Sequence, residues 1–235
     1  MKILPNVYSP VRYRYSLALK EIFSNAPKIL DVGGYSSREK IVRDYFSVFE
    51  YTSLNVGTAW YKNETCDFFY NGIEIPFDTK AYEFVISVDT FEHISHENRE
   101  KLLKEMIRVA GKRVVLVVPF VMENQKTDES FLIDVCQKYN VDSIPSLVEH
   151  ELFGLPTLEE LQSLAEKYSG SMRFATPRKE YWSIQMAMLW NSIALNGESQ
   201  EVNRKLQKFQ EEDLIRHMEP ITKEEAYRCV MLFDK

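Results

Sequence analysis

Five short apolar runs, at residues 28–32, 49–56, 66–70, 84–88 and 112–118, alternate with segments of helical character, and this alternation limits the accessible folds more than any other feature. The run at 84–88 is continuous and rich in β-branched residues, as expected of a parallel strand buried on both faces. Between the last two runs, residues 97–109 place Leu102, Leu103, Met106 and Val109 on one helical face. Repeated strand–helix units predict an α/β fold with a doubly wound, mostly parallel sheet. A helix over 11–23, carrying Val11, Tyr15, Leu19 and Ile22, is expected ahead of the first strand. After that strand, Ser36 or Ser37 is placed to cap a helix running through Ile41, Val42 and Tyr45.

The second half is less regular. Helices are expected over 128–139, 158–168, 181–195 and 202–217, and strands over 172–175 and 227–233, with Pro177 and Pro220 bracketing a helical insertion. The segment 181–195 carries Trp182, Ile184, Met186, Met188, Leu189, Trp190 and Ile193, apolar on nearly every side, so it must be buried against something. Internal packing is the first reading, and a homodimer surface or a lid over an apolar acceptor are the alternatives. The chain divides into an N-terminal helical extension (1–27), a core (28–120), a segment on the substrate side (121–170), a helical insertion (178–220) and a final strand (226–233), all within one domain.

Composition excludes several classes. With 235 residues, 45% hydrophobic and 27% charged, the chain has the make-up of one soluble domain rather than a disordered or fibrous protein. The apolar stretch 114–118 ends at Pro119, far short of the roughly 20 residues of a transmembrane helix. Residues 1–6 do not read as a signal peptide, and a cytoplasmic location is expected. Cys66, Cys136 and Cys229 are odd in number and widely spaced, which argues for reduced cysteines. A net charge of −6 makes nucleic acid an unexpected main partner.

In open α/β sheets ligands bind beyond the carboxyl ends of the strands, where the strand order reverses. At the first such end stand Asp31, Gly33, Gly34 and Tyr35, glycines that let a backbone approach a ligand ahead of a helix N-terminus. The second end offers Asn55, suited to ribose hydroxyls, and the third Asn71-Gly72, which is also a strong turn pair. The fourth is Asp89-Thr90-Phe91-Glu92-His93, where an apolar strand gives way abruptly to polar groups.

Five fragments in this order resemble the class I S-adenosylmethionine-dependent methyltransferases, most closely the small-molecule branch called type 11. They are Ile29-Leu30-Asp31-Val32-Gly33-Gly34, Ile75-Pro76-Phe77, Phe84-Val85-Ile86-Ser87-Val88-Asp89, Phe91-Glu92-His93-Ile94, and Arg99 through Arg108-Val109-Ala110, and the resemblance covers roughly 28–120. It implies a Rossmann-like methyltransferase fold with a seven-stranded sheet, S-adenosylmethionine as cofactor and a small-molecule methyl acceptor. It further implies that Asp31 steers the methionyl amino group, Gly33 and Gly34 form the loop against the cofactor, Asn55 holds the ribose, Asn71 stands near the adenine, and Asp89 with Thr90 lines the pocket beside the sulfonium. The family's later glycines are Tyr35 and Ser37 here, and its ribose and adenine acids are Asn55 and Asn71.

Direct in-line methyl transfer needs no covalent residue, but a hydroxyl acceptor needs a base, and His93, His96 and His150 are the candidates, His93 and His150 foremost. For His93 the first reading is a residue that packs or caps at the start of the following helix. The spacing of Asp89, Glu92 and His93 resembles the metal site of some quinone-pathway O-methyltransferases, but Glu92 reads equally as a helix cap, and no metal is assigned. Two other functions compete: a non-catalytic methyltransferase-like interaction module, and a nicotinamide-dependent oxidoreductase. Asp31 disfavours the latter, because a carboxylate beside the loop repels a pyrophosphate and attracts an ammonium.

Overall fold

The computed structural model describes residues 10–57, 64–122, 149–150, 152–178 and 221–235. Its elements run α1 (Pro10–Leu19), β1 (Lys28–Val32), a 3-10 turn (Ser36–Arg38) leading into α2 (Glu39–Val42), β2 (Glu50–Asn55), β3 (Phe68–Phe69), β4 (Tyr82–Val88), a second 3-10 turn (Phe91–His93), α3 (His96–Val109), β5 (Ala110–Pro119), α4 (Leu158–Lys167), β6 (Ser171–Pro177) and β7 (Ala226–Asp234). The seven strands form one sheet in the order β3-β2-β1-β4-β5-β7-β6. β1 to β5 pair in parallel, and β7 runs antiparallel to both of its neighbours. The strand order reverses between β1 and β4, so their carboxyl ends border the crevice.

Both faces of the sheet are covered, which explains the continuous apolar runs. Leu30, Val32, Val85 and Leu116 pack with Leu102 and Met106 of α3 and Leu161 of α4. Ile29, Phe84, Ile86 and Val115 face the other way, onto Tyr15 and Leu17 of α1 and Ile41 and Val42 of α2. By alternation Asp31 shares the face of Ile29, a core position on the α1 side.

Several expected elements are shorter than their sequence pattern. α1 ends at Leu19 and tightens into i→i+3 bonds, Glu21 N–H to Ala18 O and Ile22 N–H to Leu19 O. The helix expected from Ser36 to Tyr45 divides into a 3-10 turn and a single α turn, and the chain continues through Asp44 and Tyr45 on i→i+3 bonds to Ile41 and Val42. β3 is only two residues long, because the Asp67 carboxylate accepts the Ser53 N–H at 2.8 Å and so occupies the next ladder position. The helices expected over 128–139, 181–195 and 202–217 lie outside the described residues, as does the proposed dimer surface. No helix among the described residues is long and apolar enough to cross a membrane.

Candidate functional site

Asp31, near the end of β1, is fully buried. Tyr15 of α1 and Tyr51 of β2 each donate a hydroxyl hydrogen bond to its Oδ2 at 2.6 Å, while Oδ1 has no partner among the described residues. Burial pushes its carboxyl up from the usual 3.8 to about 6, against the lowering effect of the two tyrosines. The adjoining loop requires both glycines. Gly33 has φ +85°, and a Cβ there would stand 2.0 Å from Thr90 Oγ1; a Cβ on Gly34 would stand 2.1 Å from Asp31 Oδ2. The Asn55 amide donates to Gly33 O at 3.0 Å and Gly34 O at 3.2 Å, and its Oδ1 accepts from the Val56 N–H.

Beyond β4, Asp89 sits in the left-handed region at φ +48°, its N–H bonded to Val117 O. Arg228 of β7 grips the carboxylate with two bonds of 2.9 and 2.7 Å, and Arg14 of α1 adds a third at 2.5 Å. Burial alone would raise this carboxyl's pKa, but the two guanidinium groups outweigh it and hold the group ionised, well below the usual range.

Three residues on, the turn Phe91–His93 brings Glu92 and His93 against a segment containing Glu149 and His150. The His93 and His150 Nε2 atoms are 3.3 Å apart, and Glu149 Oε2 lies 2.8 Å from His93 Nδ1. Glu92 is 1% exposed, with Oε1 3.9 Å from His150 Nε2 and Oε2 without a partner among the described residues. Burial and the neighbouring Asp89 charge raise the Glu92 carboxyl to about 8, and burial with the His150 ring lowers His93.

Arg99 holds this arrangement together. Buried in α3, it donates to Ile94 O, to the carbonyls of Phe153 and Gly154 beyond His150, and to Glu160 of α4. Arg108 plays a similar part lower on α3, donating to Ile75 O at 2.9 Å and Phe77 O at 2.7 Å.

No protein-family model matches the sequence, and a search of curated proteins finds no match. Comparison with solved structures does find likenesses. Phosphoethanolamine N-methyltransferase 2 of Haemonchus contortus, solved with S-adenosyl-L-methionine, aligns over 94% of this chain at a TM-score of 0.56 and 16% identity. An S-adenosylmethionine-dependent methyltransferase from Archaeoglobus fulgidus covers 96% of this chain and 93% of its own at 0.52 and 13%. Geranyl diphosphate C-methyltransferase from Streptomyces coelicolor covers 95% and 75% at 0.56 and 9%. The chain spans about half (52%) of the Haemonchus enzyme's length. The fold is that of the class I methyltransferases.

Within this methyltransferase fold, the structure gathers Asp31, Gly33, Gly34, Asn55 and Thr90 around one loop, and brings His93 and His150 together across 57 positions of sequence. Tyr35 follows that loop, with the Arg38 guanidinium 5.5 Å over its ring. Asn71 stands apart. Its Oδ1 accepts from the Ile73 and Glu74 N–H groups, the turn chemistry that an Asn-Gly pair invites, and Gly72 follows at φ +89°. A cavity of about 600 Å³ opens beside Asn71, lined by Phe69, Tyr70, Ile75, Glu105 and Arg108 as well. Tyr15, Tyr51, Arg14 and Arg228 were not singled out as site residues by sequence reasoning; strand order and register bring Tyr51 and Arg228 to Asp31 and Asp89, and the packing of α1 on the sheet brings Tyr15 and Arg14.

Proposed function

We propose that this chain binds S-adenosylmethionine at the ends of β1 and β4 and transfers its methyl group to a small-molecule acceptor. The observation that carries this reading is the buried Asp31 Oδ1, a carboxylate oxygen without a partner among the described residues beside a loop that excludes any side chain at two successive positions. A methionyl ammonium would supply the missing donor. Asp31, Gly33, Gly34 and Thr90 would hold the cofactor, which supplies a methyl group on a positively charged sulfur. Asn55 serves as a positioning residue, because its amide fixes the two loop carbonyls.

The chain's own residues contribute chiefly orientation, worth up to about 7–11 kcal/mol for two well-aligned reactants. For a hydroxyl acceptor, the His93–His150 pair is the proposed place where the proton is taken up. A second reading, a methyltransferase-like interaction module, gains support from Asn55 and Asn71, whose side chains are engaged with backbone groups, Asn55 with the loop after β1 and Asn71 with its own turn. Thermal shift with S-adenosylhomocysteine, S-adenosylmethionine and NAD separates the readings. At 100 times its dissociation constant a ligand stabilises the fold by about 2.7 kcal/mol. A rise with the first two ligands and none with NAD is expected; no response to any of the three supports the module.

A further inference from the structure

The cluster of Glu92, His93 and His150 has a geometry that general-base chemistry does not require. Their candidate ligand atoms all lie within 4.8 Å of one another. Two imidazole nitrogens 3.3 Å apart are separated by the edge of a tetrahedron drawn around a cation with bonds of about 2.0–2.1 Å, for which the edge is about 3.3–3.4 Å. Glu92 turns a carboxylate towards the pair, and one of its oxygens, fully buried, has no partner among the described residues. Glu149 stands against the far nitrogen of the His93 ring at 2.8 Å, where an outer carboxylate fixes the orientation of a metal-bound imidazole.

We infer that Glu92, His93 and His150 form a binding site for one zinc-like divalent cation, with a fourth position open to water or an acceptor oxygen. The donor set decides the metal. Two imidazoles and one carboxylate favour a borderline-soft ion, and three protein ligands with an open position are the form of a catalytic rather than a structural zinc site. A hard, oxygen-seeking ion such as magnesium would need Asp89 as well, and both of that carboxylate's oxygens are bonded to Arg228 and Arg14. The Asp89, Glu92, His93 grouping suggested by sequence spacing therefore does not assemble, and His150 takes the third place. With their lone pairs committed to a cation, the two histidines would give up the proton uptake proposed above, which belongs to the metal-free pair; the bound ion would instead polarise whatever oxygen fills the open position.

The site is tested without cofactor or acceptor, so its failure is separate from any failure of the methyl-transfer reading. Chelator-treated protein is titrated with Zn²⁺ and Co²⁺, with Mg²⁺ as competitor. The expected result is one bound ion per chain, visible cobalt bands of four- or five-coordinate intensity, and no displacement by about a hundredfold excess of Mg²⁺. His150→Ala and the near-isosteric Glu92→Gln should each weaken binding at least about tenfold, and Glu149→Gln by about ten- to hundredfold with the bands retained. Circular dichroism melts confirm that each variant is folded. Unchanged affinity in folded Glu92→Gln and His150→Ala overturns the site. A sulfur-to-cobalt charge-transfer band also overturns it, since that would put the ion on a cysteine.

Discussion

At Asp31 two tyrosine hydroxyls satisfy one carboxylate oxygen and burial leaves the other alone, so the residue's contributions to folding and to binding have opposite signs. Its raised pKa means that the folded chain holds the proton more tightly than the unfolded one. Stability is therefore fullest below the ordinary value of 3.8, declines as pH rises towards about 6, and above that is lower by about 3 kcal/mol. Asp31→Asn keeps an acceptor for Tyr15 and Tyr51 and removes the charge. It should melt higher than the parent near neutral pH and lose the slope between pH 4 and 6, while affinity for S-adenosylhomocysteine falls about tenfold or more. Calorimetric melts across that range, paired with titration calorimetry, check both halves; a lower melting temperature at neutral pH would refute the electrostatic account.

Among the elements, α3 joins the two halves of the site through Arg99, which reaches the carbonyls beyond His150 and the carboxylate of Glu160. Arg99→Met fills similar space but leaves Glu160, itself mostly buried, with the exposed His96 ring in place of a guanidinium, and should destabilise by about 3 kcal/mol in urea unfolding. In the protein that remains folded, Co²⁺ affinity should drop as well, because the Phe153 and Gly154 carbonyls that follow His150 then lose the donor that holds them. Legibility follows the same division. β1, β4 and β5 were readable to within two residues at either end because burial on both faces writes an uninterrupted apolar run. β3 and the helix after β1 were overestimated because Asp67 and a set of i→i+3 bonds intervene, and neither has a local signature. Asp31, Gly33 and Gly34 were visible as a strand running into a glycine turn. Tyr51 was not, since it reaches Asp31 only through the register that sets it opposite Ile29, two residues away on the same face.

At the scale of the whole molecule, β7 lies between β5 and β6, and it also supplies Arg228 to Asp89. A chain lacking β7 should show no cooperative thermal transition by circular dichroism, because β6 loses its partner in the sheet, β5 becomes an open edge and a buried carboxylate keeps, among the described residues, only Arg14. A sharp melt in that truncated chain would mean that the parallel half folds alone. β7 is also the last strand of the sheet to be synthesised. Until it leaves the ribosome, the nascent protein carries an apolar β5 edge and an incompletely neutralised crevice, a state prone to wrong strand pairing and suited to capture by chaperones. The insertion of a late strand between two earlier ones thus ties assembly of the crevice to near-complete translation of the sheet.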